Sequence, residues 1–174
     1  MSATDGTTGP AMRSAKLPRT ALAGPYGHPF HPIAVTIPIG AWTASLVFDV
    51  IALIADDSEP WVVGARALIL VGLVGAIVAA VLGLLDLSRI PARTPARRTA
   101  VTHGVLNGGA IALFAVNAIV RFAAGDDFSA FGFVLSIVTL AVLGVSGWLG
   151  GKLSYRWGVR VADESVQREG FAGG

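Results

Sequence analysis

Three histidines carry most of the chemistry this chain could do. His28 and His31 stand in the hexapeptide Gly-His-Pro-Phe-His-Pro, and His103 opens a later apolar segment. Asn107 follows His103 by four residues, so the two share one face of a helix. Asp86 closes another apolar segment at the same expected depth, and Tyr155 follows a third. Imidazole ligates haem iron and divalent metals, and it titrates near neutrality. In a haem reading, His103 supplies one axial ligand and His31 or His28 the other, with Arg97 or Arg98 near the propionates. Three histidines allow at most one such haem. In a metal reading, His28, His31, His103 and Asp86 form a divalent-cation site, of which a proton-linked cluster is a variant. In a structural reading, the histidines cap helix ends in a non-catalytic membrane or assembly module. All three readings are open at the level of residues.

Other chemistry is excluded or unsupported. The absence of cysteine removes disulfides, thiolate-bound clusters, covalent haem attachment and a cysteine nucleophile. No Ser–His–Asp constellation, P-loop, HExxH or dinucleotide fingerprint is present, which disfavours an enzyme.

A second polar layer contains Asp49, Arg66 and Asn117, each within an apolar segment. Charges inside a membrane usually pair. Asp49 and Arg66 lie at matching distances from the ends of consecutive segments, so the spacing predicts an Asp49–Arg66 ion pair with a structural role. Trp42, near the middle of its segment, is expected to pack.

The elements that position these residues follow from composition. Of 174 residues, 53% are hydrophobic and only 14% are charged. A soluble domain carries about 25% charged residues. Four apolar stretches, at about 33–54, 62–85, 100–120 and 131–150, are each long enough to cross a hydrocarbon core of roughly 30 Å as a helix. The fold expected is therefore all-α, a polytopic membrane protein built as a four-transmembrane-helix bundle. Pro38 should kink the first helix, with Gly40 easing the bend. Pro29 and Pro32 should hold His28 and His31 on an extended lead-in. Gly75, Ala79 and Gly83, and likewise Gly147 and Gly151, form small-residue ridges suited to close packing. No internal repeat is recognisable, which leaves an inverted-repeat transporter unsupported.

Eleven of the thirteen Lys and Arg residues fall before the first helix, between the second and third, or after the fourth. By the positive-inside rule both termini are cytoplasmic. The basic balance is thus a topology signal, and nucleic acid is rejected as a partner. The lipid bilayer is the expected partner, and a homo-oligomer is compatible with the sequence. Residues 1–25 read as a flexible tail, 26–161 as the membrane domain and 162–174 as a polar C-terminal tail.

The lead-in GHPFHPIAVTIPIGAW with Asp49, the ending GLLDL, the segment THGVLN and the closing GGKLSYRWGV resemble the DUF2231 family of small four-helix bacterial membrane proteins. The resemblance runs from about Gly27 to Val161. It implies the membrane fold and brings no established activity. In some bacterial proteins such a domain is joined to a Rieske iron–sulfur domain, which implies a Rieske-type protein as a candidate redox partner.

Overall fold

The computed structural model describes residues 9–172, which contain helices and no strand. Four helices, His31–Ala52, Glu59–Leu87, Pro95–Ala123 and Ala130–Arg156, are long and apolar enough to cross a membrane. They are the first to fourth spans below. The second and third have 29 residues each, about 44 Å at 1.5 Å per residue. They outrun the expected stretches at both ends, because hydropathy registers only the hydrocarbon crossing. The third and fourth spans start on side-chain caps. Thr94 Oγ1 accepts from Arg97 N–H at 3.1 Å, and Ser129 Oγ accepts from Gly132 N–H at 3.1 Å. Pro60 and Pro95 occupy first-turn positions, where a missing N–H costs nothing.

The first span is interrupted once, at Val35, between His31–Ala34 and Thr36–Ala52. Pro38 has no N–H for the Ala34 carbonyl, so the helical ladder breaks there. His31 starts this helix, with Pro32 in its first turn. The expectation of an extended lead-in through His31 is corrected accordingly: a first-turn proline is compatible with helix, and only the residues up to Phe30 lie outside it.

Spans adjacent in sequence pack against each other, and the fourth closes back on the first. The first and third spans are thus diagonal, and their side chains meet across the bundle axis in three pairs. His31 and His103 have ring centroids 6.2 Å apart. Trp42 stacks on Phe114 at 4.0 Å and 14°. Asp49 meets Arg121 at 2.6 Å. Each pair is separated by the same 72 residues. Ser45 and Asn117 have this offset too, and each donates to the neighbouring span, at Ala65 O (3.1 Å) and Gly132 O (3.0 Å). On the partner spans a constant 67 residues (146 − 79) relates Ala65 to Gly132, Ala79 to Ser146 and Gly83 to Gly150.

The second hairpin therefore repeats the first about an axis running down the bundle, which corrects the reading of no internal repeat. Both hairpins run in the same sense, so the repeat is parallel rather than inverted. Matched positions carry Trp and Phe, Asp and Arg, Ser and Asn; only the histidines and Gly83/Gly150 keep their type among the contacts described. The shared feature is the geometry, with little sequence identity.

Trp42, Ile69, Ala76, Phe114 and Ala118 form the apolar middle of the bundle. The indole N–H of Trp42 donates to Ile69 O at 3.2 Å, bearing out its packing role. A Cβ at Gly72 would lie 2.2 Å from that nitrogen, so glycine is required for the indole to enter. The ridge through Gly75, Ala79 and Gly83 does receive the first span: a Cβ at Gly75 would meet Ile37 at 2.6 Å. Gly147 faces open space instead, and Gly150 takes the packing role on the fourth span.

The segment read as a loose tail is built differently from Gly9 onward. Pro10–Lys16 is helical, and Ala15 packs with Ile90, Ala100 and Val159 at the histidine end of the bundle. Lys16 is buried, donates to Val161 O and Ala162 O, and pairs with Asp163 at 3.5 Å. Tyr26 donates to Asp163 at 3.0 Å. Polar residues here satisfy one another across the two ends of the chain, a pairing that hydropathy does not register. Residues 1–8 and 173–174 of the two expected tails lie outside the described residues.

Candidate functional site

The histidine end of the axis contains two constructions of the same design. His31 Nδ1 lies 2.8 Å from Ala79 O on the second span. His103 Nδ1 lies 2.8 Å from Ser146 O on the fourth. A carbonyl only accepts, so each neutral ring carries its proton on Nδ1 and has its lone pair on Nε2. Four residues beyond each carbonyl stands a glycine. A Cβ at Gly83 would lie 3.0 Å from His31 Cε1, and one at Gly150 would lie 3.2 Å from His103 Cε1. A side chain there would require each ring to give way by a few tenths of an ångström.

Asn107, expected on the face of His103, is there. Its Nδ2 lies 2.8 Å from Ser146 Oγ, 2.9 Å from His103 O and 3.1 Å from His103 Nε2. An amide has two hydrogens for these three acceptors. The contact to Nε2 is the longest and the one most readily given up. Ser146 Oγ also lies 2.9 Å from His103 Nδ1, so it helps fix that ring.

The remaining candidates are elsewhere. His28 is exposed on the lead-in, and its ring contacts neither of the other imidazoles. Asp86 pairs with Arg160 at 2.9 Å, and Arg160 also donates to Ala23 O and Gly24 O. The metal set of His28, His31, His103 and Asp86 is therefore not assembled, and among the described residues no group of three or more such ligands is. Arg97 Nη1 donates to the Leu87 and Ile90 carbonyls at the end of the second span, which anchors its side chain there. Arg98 is exposed, as is Tyr155.

The outer layer corrects the expected ion pair. Asp49 pairs with Arg121, through Nη1–Oδ1 and Nη2–Oδ2 contacts of 2.6 Å each. Arg121 Nε donates to Asn117 Oδ1 at 2.7 Å, and Asn117 Nδ2 reaches Ser136 Oγ at 2.8 Å. Asp49 and Asn117 are fully buried, and Arg121 is only 1% exposed. Arg66 instead reaches outward to Gly125 O and Asp126, the latter at 2.7 Å. A partly exposed arginine within two turns of a span end snorkels to the loop. The third span, expected to end at about residue 120, continues to Ala123 and so carries Arg121. A usable signal was present. Trp42, Ser45 and Asp49, and likewise Phe114, Asn117 and Arg121, are spaced by three and then four residues. That spacing puts each set on one helix face.

The fold and site together define a polytopic membrane protein whose diagonal helices carry paired functional groups on the axis. The chain belongs to the DUF2231 family, described as a predicted membrane protein, whose model matches residues 27–163. No curated protein and no solved structure matches it.

Proposed function

We propose that this chain is a membrane electron-transfer module in which His31 and His103 are the axial ligands of one b-type haem. The supporting observation is their geometry on the axis. Two metal–nitrogen bonds of about 2.0–2.1 Å in line, plus about 1.1 Å from each nitrogen to its ring centre, put the centroids roughly 6.3 Å apart. The observed separation is 6.2 Å. A tetrahedral metal would draw them to about 5.1 Å on the same bond lengths. The Nδ1–carbonyl bonds fix the tautomer that offers Nε2 to a metal, the usual way a ligating histidine is oriented. Bound haem would supply a one-electron couple. The chain's residues orient the two imidazoles, Asn107 yields Nε2, and Gly83 and Gly150 keep the rings seated.

The orientation in this reading has the histidine end facing the cytoplasm of a bacterial inner membrane, supported by the basic residues gathered there. A Rieske-type protein is then a candidate partner on that face. The competing structural reading takes the histidines as clamps between spans, and Asn107 on Nε2 favours it.

The test is the visible spectrum, oxidised and reduced, of protein purified in mild detergent from haem-supplied cells. A Soret band that is lost in His31→Ala and in His103→Ala but kept in His28→Ala is expected. Its absence from the wild type refutes the haem reading and leaves the clamps. For orientation, a cysteine at Asp57 should label from outside and one at Arg97 should not; the reverse pattern refutes the assignment.

A further inference from the structure

The fourth span ends in a π-helical turn, Lys152–Arg156. With Trp148 and Gly151 this turn lines an open cleft of about 420 Å³ where the span leaves the apolar zone. Two cations sit at it. Lys152 Nζ lies 5.6 Å from the Trp148 ring centre and 6.0 Å from that of Trp157. Arg156 Cζ lies 5.4 Å over Trp157. Aromatic faces hold a cation by their quadrupole and leave its charge uncompensated. No ion pair to Lys152 or Arg156 occurs among the described residues. Four residues apart, the two belong to one side of the turn. Trp148 is 68% exposed and Tyr155 is 93% exposed, at the level where such rings meet the glycerol and headgroup zone.

We propose that this cleft is a binding site for one anionic glycerophospholipid, with its phosphate between Lys152 and Arg156 and its glycerol and upper acyl chains against Trp148 and Tyr155. Paired charge and apolar lining at one membrane depth match that ligand. A free phosphate would use the cations and leave the aromatic wall idle. The site lies apart from the histidine pair and holds whether or not a haem is bound.

The test uses the full chain in phosphatidylcholine nanodiscs doped with brominated phosphatidylglycerol or, at equal fraction, brominated phosphatidylcholine. Tryptophan quenching reports lipid contact. The anionic lipid should quench in excess of the zwitterionic one, with apparent affinity falling about fivefold for each cation removed. The excess should disappear in Lys152→Gln/Arg156→Gln and shrink in Trp148→Phe. It should persist in Arg93→Gln/Arg98→Gln, which removes two other basic residues from the same end. Equal quenching of the wild type by both lipids overturns the proposal. So does an excess that survives in Lys152→Gln/Arg156→Gln or is undiminished in Trp148→Phe. Equal loss in the Arg93/Arg98 variant shows general surface charge and also overturns it. Inorganic phosphate at matched ionic strength should not compete; if it abolishes the excess, the ligand is a soluble anion and the lipid assignment fails.

Discussion

Replacing Asp49 by Asn tests the buried end of the axis. The substitution keeps the shape and removes the charge, and it turns an amide NH2 toward one guanidinium nitrogen that now donates to Oδ1 or Oδ2. Arg121, at 1% exposure, keeps its charge and loses its counter-ion. Removing one partner of a buried pair costs about 3–5 kcal/mol, which is roughly a 150- to 5,000-fold fall in the folding constant at 1.36 kcal/mol per decade. Arg121→Met should cost a similar amount, because it strands the Asp49 carboxylate. The double variant Asp49→Leu/Arg121→Met should be far closer to wild type, since an apolar pair of similar volume leaves no charge behind. Its residual loss, about 1–3 kcal/mol, comes from Asn117 Oδ1 losing the Arg121 Nε donor. Arg66→Gln should cost no more than about 1 kcal/mol, because its partner Asp126 is 59% exposed. The assay is reversible unfolding in lipid–detergent mixed micelles. Single variants costing under about 1 kcal/mol, or a double variant as damaging as the singles combined, would refute the assignment of a dry, coupled pair.

Three further outcomes are expected. Gly83→Ala and Gly150→Ala press a methyl group to 3.0 and 3.2 Å from His31 and His103 Cε1; on the proposed haem reading each should weaken haem retention on dilution, while Gly104→Ala, which meets nothing within 4 Å, should not. Gly72→Ala should displace the Trp42 indole, costing about 1–3 kcal/mol or more by overpacking and changing the near-ultraviolet circular dichroism; an unchanged spectrum would contradict the stacked Trp42–Phe114 arrangement. Arg160→Met releases Ala23 O, Gly24 O and Asp86 together, so limited proteolysis after Arg13, Lys16 or Arg19 should accelerate about tenfold or more, at the population gain that a loss of one charge-assisted contact brings.

The four spans were legible because twenty consecutive apolar residues leave the backbone no alternative in lipid. Their ends were less legible. Caps such as Thr94 and Ser129 extend helices into polar sequence that hydropathy does not score. Of the site, the meeting of His31 with His103 and the placing of Asn107 were readable from depth and helical spacing. The exclusion of His28 and Asp86 from the axis was not. Each depended on which neighbour claims a side chain: solvent for His28 and Arg160 for Asp86. Depth matching similarly put Asp49 beside Arg66. It took no account of the rotation of each helix, which turns Asp49 to the axis and Arg66 to the rim. The three-then-four spacing shared by the first and third spans carried that rotational information.

The constant spacing across the axis also sets a clock for biogenesis. Asp49 enters with the first hairpin, and its partner Arg121 is synthesised 72 residues later. At about 5–20 residues per second, that is a delay of roughly 4–14 s. Throughout it, the nascent first hairpin holds a membrane-embedded carboxyl group without its guanidinium, and His31 without its facing imidazole. The first hairpin is thus an intermediate that cannot finish folding alone, whatever its own packing. Arrival of the third span brings the facing partner to both ends of the axis together, while His103 and Asn117 still await Ser146, Gly132 and Ser136 of the fourth span.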